Sequence, residues 1–170
     1  RKMNVSHGRR KRPPPFAQDA ALMPHLADDP APAAAIAALL GGRLRLALQP
    51  VRPARRPDLV SFEEGLARVL GPDGTTLPAV RFAPALERRG FAPALDRAAL
   101  GCALTLLRGN AGLRISVNVS ARTLGDRRWM ATLEAAGLEE PHLLRRLIVE
   151  MTETARAERR VAAAFRARLA

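Results

Sequence analysis

Apolar and polar positions alternate with a period of two over several stretches of this chain. Within 113–120, Ile115, Val117 and Val119 fall on one side, and Ser116, Asn118 and Ser120 on the other. Within 146–153, Leu147, Val149 and Met151 oppose Glu150 and Thr152. Leu44, Leu46 and Leu48 alternate with Arg45, Ala47 and Gln49, and Pro50 is expected to stop that strand. The run 59–66 reads as a further strand carrying Glu63 and Glu64. Such alternation marks strands with unlike faces. Helical spacing fills the intervals. An alanine-rich helix over 33–40 ends at Gly41-Gly42, and a short helix covers 79–89. Leu95, Asp96, Ala99, Cys102, Ala103 and Leu106 predict an amphipathic helix over 93–108, closed by Gly109-Asn110. Trp129, Met130 and Leu133 share a face of a helix over 123–136 that Gly137 stops, and Val161, Phe165 and Leu169 line a last one. Gly71-Pro72-Asp73-Gly74 is a turn.

Strands separated by helices imply right-handed parallel units, hence an α/β barrel or an open doubly wound sheet. No glycine-rich phosphate loop follows a strand, which disfavours the open nucleotide-binding sheet. Glu64, Asn118 and Glu150 are expected at the ends of three strands, where oxygen ligands suit a hard cation at a barrel mouth. Glu153 reads as a supporting carboxylate.

Composition refines this picture. Of 170 residues, 48% are hydrophobic, enough for one domain core. Residues 1–32 carry Arg9-Arg10-Lys11-Arg12 followed by prolines and read as a basic, disordered leader or linker. The first residue is Arg1, and the expectation is a piece of a longer protein. Net charge is +12, which brings in a competing reading, an arginine-rich segment that binds nucleic acid. Lysine occurs only at Lys2 and Lys11 in an arginine- and alanine-crowded chain, a skew that coding-DNA composition also explains. Aromatic content is only 4%, so stacking platforms for single strands are lacking and nucleic acid is disfavoured as partner. The single cysteine, Cys102, excludes a disulfide framework and reads as a small buried hydrophobe. His7, His25 and His142 are scattered, and Ser120 has no histidine nearby, so a histidine metal centre and a nucleophilic triad are disfavoured. With no signal segment and no long apolar run, a cytoplasmic setting is expected.

Several motifs, taken in order, resemble the EAL domains of bacterial cyclic-di-GMP phosphodiesterases. They are Leu48-Gln49-Pro50-Val51, Glu64-Gly65-Leu66-Ala67-Arg68, Leu77-Pro78 with Phe82, Glu87-Arg88-Arg89-Gly90, Ser116-Val117-Asn118-Val119-Ser120 and Val149-Glu150-Met151-Thr152-Glu153. The resemblance implies a modified TIM barrel, present here as its first strands and helices over 33–170. It implies hydrolysis of cyclic-di-GMP to the linear dinucleotide with Mg²⁺ or Mn²⁺. By the same likeness Glu64, Asn118 and Glu150 are metal ligands, with Glu64 catalytic, and Gln49, Leu66, Arg68 and Pro78 line the dinucleotide site. It further implies an upstream signalling module, such as a GGDEF or sensor domain, and a homodimer in the parent protein.

The chain departs from that pattern in two places. The signature triplet reads Glu64-Gly65-Leu66 where the family has alanine in the middle. The family also continues with a paired-aspartate strand and a lysine, whereas no aspartate follows Asp126 and no lysine follows Lys11. The expectation is a first half of the barrel, inactive by itself. The competing readings are a degenerate, non-catalytic cyclic-di-GMP receptor or interaction module, and the nucleic-acid-binding segment.

Overall fold

The computed structural model describes residues 30–71 and 73–151. Most of the leader, the helix expected over 161–169, Thr152, Glu153 and Pro72 lie outside the described residues. The described chain is α/β: helices α1 (Ala31–Leu40), α2 (Ala83–Arg88), α3 (Ala92–Gly109), α4 (Arg127–Glu139) and α5 (Pro141–Leu144) accompany strands β1 (Leu44–Val51), β2 (Phe62–Leu70), β3 (Thr76–Pro78), β4 (Ile115–Val119) and β5 (Leu147–Met151). None of these helices is long and apolar enough to cross a membrane.

The strands form one sheet in the order β1-β2-β4-β5, with β3 alongside β2. β2–β4 and β4–β5 are parallel, as the strand–helix rhythm predicts. The first pair departs from it, because β1 and β2 run antiparallel from Leu44↔Val69 to Val51↔Phe62. Alternation reports which face a side chain takes and is blind to strand direction. The connection 52–61 holds no helix that could carry a parallel crossover, so a reversal is the short route. β2 also starts later than expected. Leu59 and Val60 stay exposed outside it, and pairing continues to Leu70. Pro50 does not stop β1, since its partner is Glu63 and Val51 follows in the ladder. Among the described residues β1 pairs only with β2, and an edge strand tolerates a residue without an N–H.

Glycine ends two helices by the same device. Gly42 takes a φ of 65°, and the Arg43 N–H reaches the Ala38 carbonyl at 2.8 Å. Gly90 takes a φ of 78°, and the Phe91 N–H reaches the Leu86 carbonyl at 2.8 Å. Each six-residue closure satisfies carbonyls the helix leaves open. Gly137, by contrast, does not stop α4, which runs on to Glu139 before Pro141 opens α5.

One side of the sheet is the core. Ile115, Val117 and Val119 pack against Leu100, Leu104 and Leu107 of α3 and Trp129, Met130 and Leu133 of α4. A second cluster joins Ala35 and Ala38 of α1 to Leu44, Val69, Phe82, Leu86, Leu95 and Ala99. Cys102, expected in the core, is half-buried, with its thiol 3.6 Å from the Leu44 carbonyl. Arg146 ties β5 to the end of α3 by donating to the carbonyls of Asn110 at 2.7 Å, Leu113 at 3.1 Å and Leu107 at 3.0 Å. A guanidinium meets three carbonyls at once because its donors are rigidly forked. Arg146→Lys therefore keeps the charge but loses most of these bonds. We expect it to lower unfolding free energy by about 1–3 kcal/mol, read from urea midpoints.

Candidate functional site

Partners across a ladder project their side chains to the same face, so register decides which predicted site residues meet. Gln49 lies opposite Glu64, and Ala47 opposite Leu66. Pro78 lies opposite Arg68 on the other flank of β2. Glu64 is level with Ser116, and Asn118 is level with Glu150. By the period of two, Gln49, Glu64, Leu66, Arg68, Pro78, Asn118 and Glu150 all occupy one face. Its reverse carries Leu44, Val69, Val117 and the other residues packed under the helices.

Within that face the residues form two groups. The Asn118 Nδ2–H donates to Glu64 Oε1 at 3.1 Å, and Glu150 stands beside Asn118 on the next strand. Gln49 adjoins Glu64 from β1. Arg68 and Pro78 sit four residues further along β2, about 13 Å away at the rise of a strand, with Leu66 between. The Arg68 guanidinium donates to the Ala67 carbonyl at 2.9 Å and has no carboxylate partner among the described residues. Asn118 and Glu150 lie near the C-terminal ends of their strands, as expected. Glu64 does not: it is third in β2, one level below Asn118, and reaches it by the length of its side chain.

Glu64, Asn118 and Glu150 offer carboxylate and carboxamide oxygens, a donor set that suits a hard divalent cation. Among the described residues no group of three or more His, Cys, Asp or Glu side chains gathers, so the set rests on two carboxylates and one amide. A further polar atom lies on the same face. Ser116 is fully buried, and its hydroxyl has no hydrogen-bond partner among the described residues.

The change from alanine to glycine in the signature triplet has a local reason. Gly65 is buried, and a methyl group there would lie 2.8 Å from the Ser116 carbonyl oxygen, 3.2 Å from Leu46 Cδ1 and 3.3 Å from Ile115 Cδ1. The tightest of these neighbours is backbone and cannot swing aside.

Sequence reasoning missed a buried carboxylate that holds the loop after Asn118. Asp96 of α3 is only 8% exposed. Its Oδ2 accepts the Ser120 N–H at 2.9 Å and the Thr123 hydroxyl at 2.6 Å. Next to it, Arg97 donates to Asp126 Oδ1 at 3.0 Å, and Asp126 caps α4 by accepting the Trp129 N–H at 2.8 Å. The signal was present in the sequence, since Asp96 falls on the same helical stripe as Leu100, Ala103 and Leu107. Burial pushes the Asp96 carboxyl above the ordinary aspartate range, against the opposing pull of the Thr123 and Ser120 bonds.

The fold is thus an incomplete α/β barrel sheet with a row of oxygen donors and an arginine on the face opposite α3 and α4. An EAL domain model matches residues 33–170, and the chain belongs to that family. Among solved structures it is similar to the FimX EAL domain of Pseudomonas aeruginosa bound to c-di-GMP, at 24% identity and a TM-score of 0.58, covering 80% of this chain and 53% of that one. It is also similar to the PaMucR phosphodiesterase in complex with c-di-GMP, at 24% identity and a TM-score of 0.59, covering 79% and 58%. The S helix-GGDEF-EAL chain of Vibrio cholerae LapD matches at 15% identity and a TM-score of 0.65, covering 77% and 32%. The chain therefore spans about half the length of the FimX and MucR structures. No curated protein matches it.

Two measurements probe this geometry. Gly65→Ala, which restores the family's residue, should cost about 1–3 kcal/mol of stability by forcing β2 away from β4, as read by chemical denaturation. For Asp96 the raised folded value means the native state holds its proton more tightly than the unfolded chain. The stability it contributes is then full at low pH and is lost as pH rises from the ordinary aspartate value through the raised one. The unfolding free energy of wild type minus that of Asp96→Asn should fall across that acidic window, while carboxylates common to both proteins cancel.

Proposed function

We propose that this chain is the cyclic-di-GMP-recognising part of an EAL phosphodiesterase, in which Glu64, Asn118 and Glu150 hold Mg²⁺ or Mn²⁺ and Gln49, Leu66, Arg68 and Pro78 line the dinucleotide site. The observation that carries this reading is the register, which brings all of these side chains to one face and puts Glu64 and Asn118 in contact at 3.1 Å. The FimX and MucR structures, which hold c-di-GMP, support the ligand class. Held by Glu64, Asn118 and Glu150, such a cation would supply Lewis acidity, lowering the pKa of water and offsetting charge on phosphoryl oxygens. Arg68, free of any carboxylate partner among the described residues, supplies a forked donor for a phosphate. Leu66 and Pro78 flank it with apolar surface, and the Gln49 carboxamide offers both a donor and an acceptor to a base edge or a phosphate.

Hydrolysis belongs to the parent protein, with an upstream signalling module like the GGDEF part of the LapD chain, a cytoplasmic setting and a homodimer completing the proposal. The second reading is a receptor that binds the dinucleotide without cleaving it, favoured by the gathering of only two carboxylates there among the described residues. Titration of the full-length parent with cyclic-di-GMP, followed by chromatography of the products in Mn²⁺, separates the two. We expect linear dinucleotide from wild type, a loss of turnover of about 100-fold or more in Glu64→Gln, and roughly tenfold weaker binding in Arg68→Ala. Equal affinity in EDTA and Mn²⁺ with no product would establish the receptor, and absence of binding in both would remove the family's ligand from this chain.

A further inference from the structure

Ser116 carries a hydroxyl that the described residues leave unused. It lies on β4 between Ile115 and Val117, its side chain is fully enclosed, and its oxygen has no partner among the described residues. Leaving a buried hydroxyl unpaired costs about 1–3 kcal/mol, so alanine would serve this position better if packing were all it did. Register places Ser116 directly across from Glu64 and two residues before Asn118 on the same face. Glu64 already has one donor from that strand, the Nδ2–H of Asn118.

That bond uses the Asn118 nitrogen and leaves its Oδ1, the atom through which a carboxamide binds a cation, available. It also engages only one oxygen of Glu64, so the carboxylate keeps lone pairs for a second donor. A ligating carboxylate is ordinarily held by a donor outside the metal shell, which fixes its orientation. The unpaired hydroxyl level with Glu64 belongs to Ser116.

We propose that Ser116 is a positioning residue of Glu64: on cation binding its hydroxyl donates to the Glu64 carboxylate from outside the metal shell, alongside the bond from Asn118. The inference rests on the metal reading above and adds a second donor from the same strand.

The test compares Ser116→Ala and Ser116→Thr with wild type in the full chain, using thermal melting without metal and Mn²⁺ titration by calorimetry. Ser116→Ala should melt at or slightly above the wild-type temperature, because it deletes an unpaired hydroxyl, yet bind Mn²⁺ about 10- to 100-fold more weakly. Ser116→Thr, which keeps the hydroxyl, should recover most of that affinity. Unchanged Mn²⁺ affinity in a folded Ser116→Ala protein overturns the role of Ser116 while leaving the metal site standing. Equal weakening in the alanine and threonine variants also overturns it, since packing and not the hydroxyl would be responsible. If wild type shows no Mn²⁺ binding that Glu64→Gln abolishes, the metal reading falls and this inference falls with it.

Discussion

The close approach of β2 to β4 at Gly65 governs the geometry of the whole polar face. A backbone carbonyl stands where a side chain at 65 would begin, so only glycine fits without moving a strand. That contact sets the level of Glu64 against Ser116, and from it follow the reach of Glu64 to Asn118 and the pairing of Asn118 with Glu150. Ladder spacing does the rest. A strand slipped by one residue would send every polar member of the row under the helices and every apolar member into the open.

A second restraint acts from behind the sheet. Consecutive residues of α3, Asp96 and Arg97, grip the connection that leaves β4, one through Ser120 and Thr123 and the other through Asp126. Asp126 passes the grip on by capping α4, whose Trp129, Met130 and Leu133 then close the core over β4. The strand bearing Asn118 is therefore fixed along its length by packing and at its exit by hydrogen bonds. Keeping a carboxylate in so enclosed a place is costly, and the bonds from Ser120 and Thr123 offset that cost in part.

What the sequence disclosed follows from what alternation encodes. In β4 and β5 one face lies under helices, so Ile115, Val117 and Val119, and Leu147, Val149 and Met151, stood out against polar neighbours. The parity that separates them also places Asn118 and Glu150 together. β2 was harder to read, because Gly65 and Ala67 are too small to announce a buried face, and Leu59 and Val60 announced one that does not exist. Direction leaves no mark in alternation, so the antiparallel pairing of β1 with β2 is visible only in the structure, and β3, three residues long, is too short to show a period. Asp96 falls among the apolar positions of its helix in the sequence, and only the arrival of Ser120 and Thr123 from another part of the chain gives it a purpose. The enclosure of Ser116 likewise depends on neighbours distant in sequence.

Pro50 has a consequence beyond its own strand. Among the described residues, the outer border of β1 faces no other strand, and such a border invites a foreign chain to lie alongside. An imide ring without a proton removes a rung from any such ladder, and the charged Arg45 lies in the same border strand. Pro50 and Arg45 thus make that border a poor template for strand-to-strand pairing.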